Sequence, residues 1–580
     1  MSNELKPLHF DADYTMEEAL AEAKRCLNCP KPLCRMGCPI ENEIPRFIQA
    51  IARGNFGEAN DILAERTNLP SICGRVCPRE NQCEGNCIMN KAKKPPINIG
   101  KLERFAADFE SINELRKPKK IQQNLGNVAV VGSGPAGLSV AGDMAKLGYN
   151  VTVFEGQSEP GGVLLFGIPE FRLSKSVVRR EIARLEGLGV KFVCNIFIGQ
   201  DKTLDDLFAE GFDSIFIGTG THIPQEVRME NDEVHGVFQA MYLLTNVQLV
   251  ENGDLDESLI PVKKGDRVII IGGGNVAIDV ARDSKRCASD DTKVNMYCLE
   301  SRETMPASVE EIEEAESEGI VVNPGWGPKE VLVDENGEVR GIVLKKCISV
   351  KDADGRFNPQ YDENQLLTVE CKHVFFSVGQ AIVWGDLLKG SKVELGRGNG
   401  AVADALTYQT AEPDIFVGGD VYTGPKFAID AIAAGKQGAI SIHRFVQPHS
   451  SLTIGRNRND FIELNKNDIK VENYDNSSRQ IPGHNDSIDT KHSFRDAKLV
   501  FTEEQVKAET ARCLGCGASV VDQNKCIGCG ICTTKCEFDA IKLHRELPGC
   551  SKMVPSEDKL KYILPNGAKQ AIKIKFSKKK

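Results

Sequence analysis

Four cysteines crowd one short stretch, "RCLNCPKPLCRMGCP", as Cys26, Cys29, Cys34 and Cys38, and four more follow in "SICGRVCPRENQCEGNC" as Cys73, Cys77, Cys83 and Cys87. Seven lie between 513 and 550, and the last five of the twenty, Cys194, Cys287, Cys298, Cys347 and Cys371, stand alone. The start "MSNELKPLHFDADYTMEEA" is acidic without an apolar core, and no run of about 18 apolar residues occurs. The expected compartment is therefore the reducing cytoplasm, with no membrane insertion. Clustered thiols there predict metal, and isolated ones predict core packing. Paired C-x2-C or C-x3-C knuckles suit zinc, while thiolate-rich runs suit iron–sulfur clusters. Spacing alone leaves open whether the first four cysteines close round one centre.

The tail is more specific. Cys526-x2-Cys529-x2-Cys532-x3-Cys536 in "KCIGCGICTTKCEFDAI" is close to the bacterial ferredoxin run, with Glu537 where a proline usually follows. Three thiolates within seven residues, with glycine letting the chain curl, can cap one face of a [4Fe–4S] cubane. Upstream, "ARCLGCGASV" supplies only half a motif, Cys513 and Cys516. Those two, with Cys536 and Cys550, either form a second C-terminal cluster or are inert thiols.

Two glycine-rich turns predict dinucleotide sites. "VAVVGSGPAGLSVAGDMAKLGYNVTVFE" has a strand, Gly132-x-Gly134-Pro135-Ala136-Gly137, a helix, a second strand and then Glu155. Such glycines permit a tight turn and close approach to a pyrophosphate at a helix N-terminus, and the acid bonds a ribose hydroxyl. "RVIIIGGGNVAIDVARD" repeats the pattern as Gly272-x-Gly274-Asn275-Val276-Ala277, and the second strand ends in "YCLESRE". An acid there, Glu300, favours the free 2′-hydroxyl of NAD, whereas Arg302 assisted by Ser301 could meet the 2′-phosphate of NADP. The coenzyme choice stays open. "EPGGVLLFGIPEFRLSK", with Gly162, "SIFIGTG", with Gly220, and "PDIFVGGDVYTG", with Gly419 and Asp420, complete the candidate sites. The first of these segments resembles the flavin-contacting segment of two-dinucleotide-fold flavoproteins and the third their returning motif, in which Asp420 would meet the ribityl chain and the following helix point at the isoalloxazine. This order implies FAD first and NAD(P)H second.

The elements that must position these residues follow from periodicity. "TMEEALAEAKRCL" and "IPRFIQAIARGNFGEANDILAE" carry helical spacing, and from 127 "NVAVVG", "NVTVFE", "SIFIGTG", "RVIIIGGG", "KVNMYCLE" and "HVFFSVG" read as short strands of α/β units. The expected fold is multidomain: a helical iron–sulfur domain over 1–122, an FAD domain over 123–225 and 370–446, and an NAD(P)H domain inserted at 226–369. A linker over 447–500 and a ferredoxin-like α+β domain over 501–580 follow. The net charge is −10 with the basic residues dispersed, so no nucleic-acid surface is expected.

Together, "RCLNCPKPLCRMGCP", "ICGRVCP", "INIGKLERF", "GSGPAGL", "GGVLLFGIPEFRL" and "VGGD" make residues 15–445 resemble the glutamate synthase small-subunit family. That family is shared with the large subunit of NADH-dependent ferredoxin:NADP oxidoreductase and the N-terminal half of dihydropyrimidine dehydrogenase. The resemblance implies that the cysteines cross over, with Cys26, Cys29, Cys34 and Cys87 holding one [4Fe–4S] cluster. It gives the second to Cys38, Cys77, Cys83 and Glu103, which stands where relatives place Gln or Glu, and leaves Cys73 as a bystander or the alternative ligand. It implies hydride transfer between nicotinamide and FAD and single-electron traffic through the clusters, with no acid–base residue. The expected setting is a hetero-oligomer exchanging electrons with a partner redox subunit or ferredoxin, in an electron-bifurcating, transhydrogenase-type complex. The alternatives are the small subunit of NADPH-dependent glutamate synthase, or a relay subunit with vestigial nucleotide sites.

Overall fold

The structure is a computed structural model that describes residues 14–113 except 30, and 121–447 except 222, 226–228, 289–290 and 353. In the C-terminal part it describes 477–488, 491, 497–512, 530–535 and isolated positions between 560 and 568. The chain forms two compact units, Met1–Arg456 and Asn457–Lys580. Among the described residues no helix is long and apolar enough to cross a membrane.

The first part of the larger unit is helical. Thr15 and Glu18 form a capping box that starts the helix Met16–Lys24, satisfying N–H groups that a helix start leaves bare. "IPRFIQAIARGNFGEANDILAE" forms two helices, Ile44–Ala52 and Phe56–Ala64, because Gly54 takes φ +77° and breaks the run. The longest helix here, Ile99–Asn113, packs Phe105 and Phe109 edge-on to Phe56, with centroids 5.2 and 4.7 Å away.

Behind it stand two five-stranded parallel sheets. The first runs Ile415–Val417, Ser214–Ile217, Asn127–Val131, Asn150–Phe154, Lys191–Val193. A strand from beyond residue 400 thus completes a sheet begun at 127. The second sheet runs Val237–Gln239, His373–Phe376, Arg267–Ile271, Lys293–Cys298, Val321–Pro324. His373–Phe376 pairs with Arg267–Ile271 in this second sheet, so the return to the first domain lies after it and not at 370. The two crossings run side by side, Ile223 opposite Ala381 and Pro224 opposite Gln380.

Three antiparallel strands, Trp326–Val333, Val339–Lys351 and Phe357–Glu370, add a sheet to the coenzyme domain. In the second unit, a capping box at Thr502 and Gln505 starts the helix Glu503–Ala511. The backbone N–H of Gln480 donates to Glu509 at 2.8 Å, and Gln505 donates to the Ile481 carbonyl at 2.9 Å. Residues around 480 therefore pack on that helix, which places them in the second unit and not in a free linker. The rest of the expected linker, 448–476, lies outside the described residues.

Candidate redox sites

In the first dinucleotide unit the glycine pattern is set by close backbone contacts. A Cβ at Gly137 would lie 2.0 Å from the carbonyl oxygen of Gly132, and one at Gly162 would lie 2.9 Å from Gly134 Cα. The helix Pro135–Leu147 can approach its strand only because these side chains are missing. At Gly134 and Gly220, by contrast, nothing stands within 4 Å of a Cβ, which leaves open space in front of the helix start. Glu155 is buried and accepts from the backbone N–H of Ser133 at 3.0 Å and from its hydroxyl. Gly419 takes φ +71°, and a Cβ there would lie 3.2 Å from Ala136 Cβ. The next residue, Asp420, accepts from Thr221 Oγ1 at 3.1 Å, and burial raises its pKa. Gly132, Pro135, Ala136, Gly137, Glu155, Gly162, Gly419 and Asp420 thus pack about this turn, and the open space at Gly134 and Gly220 by the helix N-terminus suits a dinucleotide pyrophosphate. Gly137→Ala is expected to cost about 1–3 kcal/mol through overpacking, read as a lower unfolding midpoint and poorer flavin retention.

The second unit repeats the arrangement. A Cβ at Gly272 would lie 2.4 Å from the carbonyl oxygen of Ser377, Gly274 faces open space, and Ala277 is fully buried. Val276 is 40% exposed at the helix start. Asn275 Oδ1 accepts from Ser308 N at 3.0 Å. Glu300 points back over the loop: its Oε2 lies 2.9 Å from where a Gly273 Cβ would stand. Arg302 pairs through both guanidinium nitrogens with Glu316, and Ser301 caps a short turn with Thr304 at 3.0 Å. Of the three candidates at the ribose end, only the acid is turned to the loop.

Sequence reading did not foresee what ties the two units together. In "PEFRLSK", Arg172 donates to both oxygens of Asp279 at 3.0 and 2.8 Å and lies 2.9 Å from Glu311. Arg282 and Arg286 stack on Phe171, with Cζ 4.3 and 3.9 Å from its centroid. A flavin-domain segment thereby grips the coenzyme-domain helices Asn275–Ala288 and Val309–Ser317. No local signal marks it, since Phe171 and Arg172 stand far in sequence from the helices Asn275–Ala288 and Val309–Ser317 that they meet.

The N-terminal cysteines separate into two sets. Cys26, Cys29, Cys34 and Cys87 line one pocket, walled by Ile44, Ile48, Ile97 and Ile99. Burial pushes the Cys34 thiol up to about 12, with Cys87, Cys26 and Cys29 adding to the effect. Cys38, Cys77, Cys83 and Glu103 form the other set. Burial pushes Cys38 up to about 12, and Glu103 and Cys73 add to it. Cys83 is raised by burial and by Glu84, Cys38 and Glu103, and Cys77 first by Cys73 and then by burial. Glu103 is pushed up to about 8 by burial, against Arg79 and Asn42, whose amide donates to it at 3.2 Å. Three half-buried thiols and a buried carboxylate thus bear on one another, a donor set whose protons a bound cationic centre would displace. Among the described residues no group of three or more His, Cys, Asp or Glu is placed to hold a metal ion as it stands; the thiol-rich composition of the two sets is that of iron–sulfur ligands.

The two sets also differ in what they touch. Cys87 belongs to the helical core, against which Cys26, Cys34, Cys38 and Cys83 pack. Cys38 and Cys77 also pack against the core of the first dinucleotide unit, which includes Cys73. Cys38 is common to both. Of the C-terminal candidates only Cys532 is described; Cys513, Cys516, Cys526, Cys529, Cys536 and Cys550 lie outside the described residues.

Paired dinucleotide grooves with thiol-rich sets beside them define an NAD(P)H-dependent flavin and iron–sulfur oxidoreductase. Comparison with known proteins agrees. The pyridine nucleotide-disulphide oxidoreductase family matches residues 126–435, the dihydropyrimidine dehydrogenase domain II, 4Fe-4S cluster family matches 6–115, and the 4Fe-4S binding domain matches 519–542. The glutamate synthase [NADPH] small chain of Escherichia coli (strain K12) is 32% identical over 74% of this chain and 92% of its own length. The NAD-dependent dihydropyrimidine dehydrogenase subunit PreT of Escherichia coli O157:H7 is 32% identical over 74% of this chain and 94% of its own. The NADP(+)-dependent formate dehydrogenase subunit beta of Moorella thermoacetica is 31% identical over 83% and 70%. The chain belongs to the glutamate synthase small-chain family of FAD- and [4Fe–4S]-containing oxidoreductases.

Proposed function

We propose that this chain is the NADH-oxidising subunit of a multi-subunit complex, passing electrons from the coenzyme domain to FAD and then singly through the N-terminal clusters to a partner subunit or ferredoxin. The observation that carries this reading is Cys38, which packs against both the flavin-domain core and the helical core. It supports an order in which the set of Cys38, Cys77, Cys83 and Glu103 stands on the flavin-domain side and that of Cys26, Cys29, Cys34 and Cys87 beyond it. When bound, FAD exchanges electron pairs with a nicotinamide and single electrons with clusters. The chain's own part is positional: open glycines seat the pyrophosphates, Asp420 and Glu155 offer acceptors to hydroxyls, and the Arg172–Asp279 grip holds the two domains together. The C-terminal ferredoxin-like module supplies a further relay, which favours a bifurcating assembly over a minimal glutamate synthase small subunit.

NADH is favoured because Glu300 faces the loop while Arg302 is held by Glu316. Glu300→Ala is expected to remove a charge-assisted hydrogen bond of about 1.5–3 kcal/mol, roughly a ten- to hundredfold rise in the KM for NADH, with little change for NADPH. Anaerobic stopped-flow bleaching of the flavin bands by each coenzyme reads this directly. Faster reduction by NADPH would overturn the coenzyme assignment, and no bleaching by either would leave only a relay role.

A further inference from the structure

Arg79 belongs to no motif. It falls between Cys77 and Cys83, in the short turn Arg79–Asn81. Its side chain crosses the helix Ile99–Asn113 at Gly100, where a Cβ would come within 2.1 Å of its Cδ and 2.8 Å of its Nη1. Gly100 and Glu103 are three residues apart and share a helix face, so the guanidinium stands over the face that carries Glu103. It opposes the effect of burial on Glu103 and on Glu84, and the Glu84 carboxylate accepts from Gly100 N at 3.0 Å.

On its other side Arg79 reaches a different domain. Its Nη2 lies 3.7 Å from Glu310 Oε2, in the first turn of the helix Val309–Ser317. The start of that helix is fastened to the coenzyme loop. Ala307 N donates to the Gly273 carbonyl at 3.0 Å, Ser308 N donates to Asn275 Oδ1 at 3.0 Å, and the Ser308 hydroxyl caps the helix by accepting from Glu311 N at 3.3 Å. A continuous set of contacts therefore runs from the pyrophosphate loop to Glu310, to Arg79, and to the face of Glu103.

We propose that Arg79 is a positioning residue through which the coenzyme domain sets the redox potential of the centre beside Glu103. This rests on the reading that Glu103, Cys38, Cys77 and Cys83 hold a cluster. A guanidinium near a centre with anionic ligands stabilises its reduced form, which carries one more negative charge, and so raises its potential. Glu310 offsets part of that charge, by a smaller amount because it is 68% exposed and screened. A ligand in the Gly272–Asn275 loop bears on the groups that seat Ser308, and through them on Glu310. By linkage, reduction of the centre changes the affinity for that ligand by the same factor.

The test uses full-length protein purified without oxygen, titrated potentiometrically and followed by EPR at the signal that Glu103→Ala perturbs. ADP-ribose serves as a redox-inactive probe that fills the pyrophosphate loop. Arg79→Gln is expected to lower the midpoint of that one cluster, Glu310→Gln to raise it by less, and Arg79→Lys to restore the wild-type direction. ADP-ribose is expected to shift the wild-type midpoint and to leave that of Glu310→Gln where it was. An unmoved midpoint in Arg79→Gln overturns the proposal, as do shifts of the same sign in both variants or an ADP-ribose shift that persists in Glu310→Gln. Should Arg79→Gln lose the cluster, Glu310→Gln and ADP-ribose still decide, since Glu310 is a surface residue. Failure of the underlying reading looks different, because Glu103→Ala would then leave every cluster signal unchanged.

Discussion

Cys87→Ala is expected to remove one N-terminal cluster and spare the other, lowering iron by about four atoms per chain, although Cys87 stands only four residues from Cys83. The reason lies in where the chain turns. Cys87 precedes the short helix Ile88–Lys91 and is buried in the helical core, and it lines the pocket that Cys26, Cys29 and Cys34 also line. The Cys83 thiol is raised instead by burial and by Glu84, Cys38 and Glu103. Cys83→Ala should therefore remove the complementary signal. Iron and acid-labile sulfide counts, with EPR of the reduced protein, read both variants. If the two substitutions abolished the same signal, the division into two sets would be wrong.

Glu103→Ala is expected to disturb the cluster beside Cys38, Cys77 and Cys83 and to leave the Cys87 cluster as it was. Glu103 is buried on the helix Ile99–Asn113, and its side-chain hydrogen bond is to the Asn42 amide at 3.2 Å. Burial pushes its carboxyl up to about 8, so in the absence of a cationic centre the group would hold its proton near neutral pH. Ligation reverses that preference, because a bound carboxylate is stabilised by the charge of the iron. If Glu103 is the fourth donor, alanine leaves its position without one, and altered g values or lost iron are expected. Glu103→Cys should keep the cluster with a shifted potential, since ligand identity is one of the protein's levers. An unaltered spectrum in Glu103→Ala would turn attention to Cys73, which is buried beside Cys77, and Cys73→Ala would then be the decisive variant.

Much of the fold was legible in the sequence because it is local. A glycine turn between a strand and a helix is encoded within about thirty residues, so both dinucleotide units and the strands at 127, 150, 214, 267, 293 and 373 stand where periodicity put them. The three-stranded sheet at 326–370 was missed because its last strand opens on a long polar run, "FNPQYDENQ", and its first two carry lysines and glycines without regular alternation. The domain return was set at 370, too early, because "HVFFSVG" is an apolar strand ending in glycine and fits either sheet. Only its pairing with Arg267–Ile271 assigns it.

The sequence by itself determined the chemical inventory: two glycine-rich nucleotide turns, eight clustered N-terminal cysteines, a ferredoxin-like run and an acid at the end of the second coenzyme strand. The family resemblance added the crossing of the cysteine sets. Tertiary structure decided what contiguity cannot encode. It brought Cys87 to Cys26 across about sixty residues, turned Glu300 to the loop while Glu316 took Arg302, laid Arg172 into the coenzyme domain, and carried Arg79 from the thiol-rich turn to Glu310. Spacing along a chain fixes which side chains share a turn or a helix face. Which turns face one another is settled by the packing of cores, and charges and ligands from distant segments find their partners only there.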